Sequence, residues 1–113
     1  MNELSGEQVL MRIFIGESDK RGGKPAYQGL VEMLRREGIS GATVFRGILG
    51  FGARSYFQAA HILRLSQDLP IVVEVVDSQD NLNRVLPQIE QFVTNGLVTT
   101  EKVHVLRYGI NKQ

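Results

Sequence analysis

The run IVVEVV, Ile71–Val76, decides how this chain folds: all of it but Glu74 is β-branched, which reads as a strand. Behind it lie roughly twenty residues with no evident element, long for a compact domain and so a candidate for function. Before those, Thr43–Ile48 reads as another strand, so two strands follow one another with no helix between. Further back, Pro25 opens a helix with Tyr27, Leu30, Val31 and Leu34 at helical spacing. Its basic last turn, Arg35 and Arg36, is followed by Gly38, a stop signal. QVLMRIFIG, ending at Gly16, is the first strand, and the polar ESDKRGGK after it is expected to be a loop.

Forward of Val76, a second helix follows from Leu82, Val85, Leu86, Ile89, Phe92 and Val93, closed by Gly96. Pro87 inside it predicts a bend or an irregular turn. Lys102–Tyr108 is expected to be the last strand. The order β-α-β-β-α-β is that of an α+β ferredoxin-like sandwich, a four-stranded antiparallel sheet with two helices on one face. The first and third strands are then central. Residues 1–7 are expected to be a flexible leader, 8–110 a single domain and 111–113 a tail.

The chain has 113 residues, 42% hydrophobic and 22% charged, with a net charge of +1. That charge makes no field for nucleic acid or an anionic membrane, so any anion site has to be local. With no cysteine, disulfides, thiolate metal sites and cysteine nucleophiles are excluded. MNELSGEQ has no signal-peptide pattern and no apolar run is long enough to span a bilayer. A cytoplasmic setting without direct membrane insertion is expected.

Helices on one side leave the other face of the sheet open. Each strand carries a central polar residue, Arg12, Arg46, Glu74 and His104, flanked by apolar neighbours such as Leu10 and Phe14, Val44 and Ile48, Val72 and Val76. Such a surface marks an interface. The four polar groups are either a catalytic cluster or charge pairs on the inner face of an oligomer. The second reading is preferred, since no nucleophile or metal-ligand set accompanies them. No catalytic residue and no metal site is expected: the two histidines, His61 and His104, are too few for zinc. Glu17 and Asp19 are a candidate for a hard cation or simply a polar loop. Neither common nucleotide fingerprint is present. Gly47, Gly50 and Gly52, followed by Arg54, either form a backbone nest for an anion or allow a turn at an edge strand.

GISGATVFRGILGFGARS with LSQDLPIVVEVVD, together with RIFIGESDK and the closing VLRYG, resembles the PII-like proteins. The nearest branch is the family of unknown function numbered one hundred and ninety. The resemblance covers about Val9 to Gly109. It implies a ferredoxin-like subunit in a homotrimer whose open sheet faces meet at the centre, with no enzymatic activity and no fixed cofactor. It implies an adenine nucleotide as regulatory ligand in clefts between subunits, met by Gly50, Gly52, Arg54, Lys102 and Arg107. The loop of residues 53–69, with Tyr56, Phe57 and His61, would then engage a protein partner, such as a membrane transporter or an enzyme. Gly50-Phe51-Gly52 matches the family's motif at the loop base. Ala53-Arg54 replaces the family's Arg-Gln, Leu97–Glu101 replaces its glycine-rich phosphate loop, and Val105 stands for one of its two closing arginines. Glu101 beside Lys102 is expected to repel phosphate. The alternative within the same fold is a structural or metal-tolerance trimer like CutA, without nucleotide dependence.

Overall fold

The computed structural model describes residues 4–52 and 69–109. Its elements are β1 (Gly6–Gly16), β2 (Lys20–Arg21), β3 (Lys24–Pro25), α1 (Ala26–Arg36), β4 (Ala42–Arg46), β5 (Pro70–Asp77), α2 (Gln79–Phe92) and β6 (Leu97–Val105). The main sheet is antiparallel in the order β4-β5-β1-β6, so the first and third long strands are central, as a ferredoxin-like sandwich requires. Alternation does the sorting. Val9, Met11, Ile13 and Ile15 of β1 and Ile71, Val73 and Val75 of β5 are buried with Leu30, Met33 and Leu34 of α1 and Leu82, Val85 and Ile89 of α2.

The helices start and stop for local reasons. Pro25 is the N-cap of α1. After Arg36 the chain turns through Gly38 at φ +83°, with the Gly38 N–H donating to Arg35 O (3.1 Å) and that of Ile39 to Leu34 O (3.1 Å). Ser78 caps α2 by accepting from the Asn81 N–H at 3.1 Å. Of the bend or irregular turn expected at Pro87, the irregular turn does not occur: α2 runs through it unbroken. Both Pro87 and Asn83, whose carbonyl loses its donor, are exposed, so water can serve that carbonyl.

The strand boundaries differ from the sequence reading, by more than one residue at three strands. β1 starts at Gly6, β4 stops at Arg46, and β6 spans Leu97–Val105 instead of 102–108. Leu97–Thr100 contains no glycine and pairs with Phe14 to Met11 along β1, which favours an extended strand over a loop. The expected loop ESDKRGGK holds a two-residue hairpin, with Gly22 (φ +64°) and Gly23 (φ +83°) between β2 and β3. Arg21 on that hairpin donates to Gln91 O and Gln91 Oε1 (both 3.1 Å) and lies 5.0 Å over the Phe92 ring. It brings a cation to the C-terminus of α2, whose own last turn has none.

Register corrects the reading of the open face. Arg12 is opposite Glu74, which is opposite Thr43, while Phe45 is opposite Val72. Directly paired residues share a side, so Thr43 and Phe45 belong to the open face and Val44 and Arg46 to the helix side. His104 pairs with Glu7, in phase with buried Val9, and so lies on the helix side too. The expected group of four is therefore split into two pairs on opposite faces.

Candidate functional site

Three clusters flank the places marked by the sequence. The first is at the base of the long β4–β5 connection. Arg46, at the end of β4, meets Glu17, just past β1, through Nε–Oε2 (2.9 Å) and Nη2–Oε1 (3.2 Å). Glu17 also accepts from the Leu69 N–H (3.4 Å), and its own N–H donates to Leu69 O (2.9 Å). One glutamate thus holds both ends of the connection, which answers the cation reading of Glu17: its charge is met by a guanidinium. Asp19 accepts from the Gly16 N–H at 3.1 Å. No group of three or more metal-ligating side chains occurs among the described residues. Glu17→Ala is expected to speed amide exchange at Leu69 by up to about tenfold, the worth of roughly one hydrogen bond. Unchanged exchange by mass spectrometry would mean that the strands hold the base alone.

The glycines beside this clamp answer a packing demand. A Cβ on Gly47 would sit 2.7 Å from Pro70 Cγ and one on Gly50 3.2 Å from the same atom. The Gly47 N–H donates to Pro70 O at 2.7 Å. Neither glycine has a positive φ, so at these two positions close approach, and not left-handed backbone, is what requires glycine. Arg54, Tyr56, Phe57 and His61 lie outside the described residues.

The second cluster is on the open face. Arg12 donates through Nε to Glu74 Oε2 (3.0 Å) and through Nη1 to Glu101 Oε1 (2.9 Å). These bonds, Glu74 first, raise the Arg12 pKa above its ordinary value and keep it ionised. Phe14, Phe45 and Val72 line a shallow depression beside Arg12 and Glu74. Phe45 and Leu97 on this face are 50% and 56% exposed. Glu101, expected to repel phosphate beside Lys102, is thus on the other side of β6 from it.

The third cluster is at the far end of the sheet. Lys102 pairs with Val9, itself opposite Asp77, and Arg107 follows β6. The Tyr108 hydroxyl donates to Ser40 O at 2.9 Å and ties this segment to the α1–β4 turn. Gly50 stands near Pro70, opposite Gly16, seven residues along β1 from Val9. At a rise of about 3.3 Å per residue, that separates the two groups by about 23 Å. A single copy of the chain does not bring Gly50 and Lys102 together. Sequence reasoning missed Glu17 and Glu7 as partners of Arg46 and Lys102. Only strand pairing reveals them, since neither is near its cation in the chain.

The strand order and these clusters define a ferredoxin-like α+β domain, one face of whose sheet is uncovered among the described residues. The chain belongs to the DUF190 family ("Uncharacterized ACR"), whose model matches residues 8–105. A UPF0166 protein of Methanocaldococcus jannaschii is 41% identical over 99 residues, 87% of this chain and 91% of that one. Among solved structures, CPII from Thiomonas intermedia K12 bound to ADP, AMP and acetate matches with a TM-score of 0.65 at 15% identity, over 95% of this chain and 94% of that chain. A further structure of CPII, described as a nitrogen regulatory PII-like protein bound to ADP, AMP and bicarbonate, gives 0.65 at 16% identity, over 89% and 90%. At such identity the likeness is one of fold. No helix among the described residues is long and apolar enough to cross a membrane.

Proposed function

We propose that this chain is a non-enzymatic, cytoplasmic PII-like regulatory protein that senses an adenine nucleotide between the subunits of a homotrimer. The observation that carries the reading is the separation of about 23 Å along the sheet between Gly50, beside Pro70, and Lys102, opposite Val9. Residues so far apart in one subunit can serve one ligand only if two copies place opposite sheet ends together. The exposed apolar face offers the surface on which copies would associate. CPII, of the same fold, is bound to ADP and AMP in the two structures described above, which supports the ligand class. Gly50 and Gly52 would give backbone access, Arg54, Lys102 and Arg107 would meet phosphate, and residues 53–69 would carry the signal to a protein partner.

Calorimetric titration with ATP, ADP, AMP and cyclic nucleotides tests the ligand, and light scattering after size exclusion tests the trimer. Lys102→Ala is expected to weaken the best nucleotide about tenfold or more, the loss of one charge-assisted contact. Absence of heat with every nucleotide, or a monomer in solution, would overturn the reading.

A further inference from the structure

On the helix side of β6 an exposed row runs through Thr100, Lys102 and His104. β6 is an edge strand of the sheet. Lys102 is 81% exposed, and its Nζ lies 3.6 Å from Glu7 Oε2 on β1. Glu7 is itself 68% exposed and pairs directly with His104 across the ladder. Directly opposed residues have Cβ atoms about 5 Å apart, within reach of a carboxylate and an imidazole. One carboxylate therefore lies 3.6 Å from the ammonium, with His104 at the position directly opposite it on the neighbouring strand.

No other charged side chain of β1 shares this side near the row. Arg12 is on the open face with Glu74, and Glu101 is there with it. The carboxylate that competes for Lys102 is thus the spatial neighbour Glu7, and not the sequence neighbour Glu101.

We propose that Glu7 is a built-in counter-ion, which a phosphoryl anion must displace from Lys102 and which then turns to His104. The inference rests on the reading of Lys102 as a ligand-binding residue. An exposed pair of this length is weak, so an anion with more charge than one carboxylate displaces it readily and reversibly. The released carboxylate is not left facing the ligand, because His104 can donate to it from the opposite strand. Lys102 then binds the difference between two anions, and Glu7 sets the affinity threshold.

The test is calorimetric titration of ADP and, separately, inorganic phosphate into the wild type, Glu7→Gln, Lys102→Ala, the double variant and His104→Ala. Glu90→Gln, an exposed carboxylate on α2, serves as control. Glu7→Gln is expected to tighten binding about two- to fivefold, the range of an exposed ion pair. The gain should vanish in the Lys102→Ala background, and Glu90→Gln should leave the wild-type affinity unchanged. His104→Ala should weaken binding, since the displaced carboxylate then has no second partner. Tightening with phosphate alone supports the counter-ion and removes the nucleoside from the ligand. Equal affinity of wild type and Glu7→Gln, with Lys102→Ala still weakened, overturns the counter-ion and leaves the nucleotide site standing. A gain of equal size in Glu90→Gln also overturns it, reducing the effect to net charge. No binding of either ligand by the wild type overturns both.

Discussion

Asp77→Ala is expected to lose about 3 kcal/mol of stability, read as a lower midpoint in urea with an unchanged slope. Asp77 is the one buried charged residue among the described positions, 4% exposed at the end of β5. Its Oδ1 accepts from the Ser78 N–H (2.7 Å) and from Asn81 Nδ2 (2.9 Å), and its Oδ2 accepts from the Ser40 N–H (2.8 Å). Beside it, Ser40 Oγ donates to Val76 O. One carboxylate thus joins a central strand, the start of α2 and the α1–β4 turn, where Tyr108 also anchors. Alanine leaves three donors without that acceptor, and two of them are backbone N–H groups. Asn81 Nδ2 can turn to water more easily than the backbone can, so the backbone pair sets the cost. Asp77→Asn should fall between the two proteins. Its amide oxygen can still accept from one side, but its NH2 must then face a donor on the other. Equal stability of wild type and alanine variant would show that water replaces the carboxylate fully.

Gly96→Ala should be at least as damaging, at about 3 kcal/mol or more, seen as loss of soluble yield or an early urea midpoint. A Cβ there would lie 2.0 Å from the carbonyl oxygen of Phe14 and 2.6 Å from Val93 Cγ1. Phe14 is in the central strand β1 and pairs with Leu97, the first residue of β6. Relief needs the start of β6 to move off its neighbour, breaking pairing where the strand begins. Gly29→Ala makes the contrast. Its Cβ would meet only the Phe92 ring, at 2.9 Å, and a side chain can swing aside. Alanine also gains about 1 kcal/mol over glycine in a helix, so that variant is expected near wild-type stability. A Gly96→Ala protein as stable as Gly29→Ala would mean that the start of β6 yields to the added Cβ without losing its pairing to Phe14.

The two helices were legible because each is written in a local period. Leu30 and Leu34, and Leu82, Val85 and Ile89, are buried as their spacing predicts. Gly38 ends α1 in the left-handed region, where its lack of a Cβ matters most. The hairpin at Gly22-Gly23 was legible in principle: two adjacent glycines between short polar arms are a hairpin signal, overlooked because no apolar alternation flanks them. The start of β6 was missed for a different reason. Leu97–Thr100 looks like the tail of a loop until β1 provides its partner.

The candidate residues could be named from the sequence but not placed relative to one another. Lys102 and Arg107 were marked through family resemblance, and Gly50 and Gly52 through a motif, with nothing to say how far apart they lie. The roles of Gly47 and Gly50 were ambiguous in the sequence because close approach and positive φ select the same residue. The position of Pro70 Cγ explains those two glycines by close approach.

From its sequence alone this chain determined the order of its long elements, the buried stripe of each helix and the two central strands. Those follow from periods and stop signals that act over a few residues. Only the tertiary structure decided that Arg12 shares Glu74 and Glu101, that Arg46 belongs to Glu17, and that Lys102 has Glu7 beside it. The reason is register. A strand's side chains alternate with a period of two, so a shift of one residue in pairing exchanges every face. No pattern within a strand states which residue of another strand it will meet.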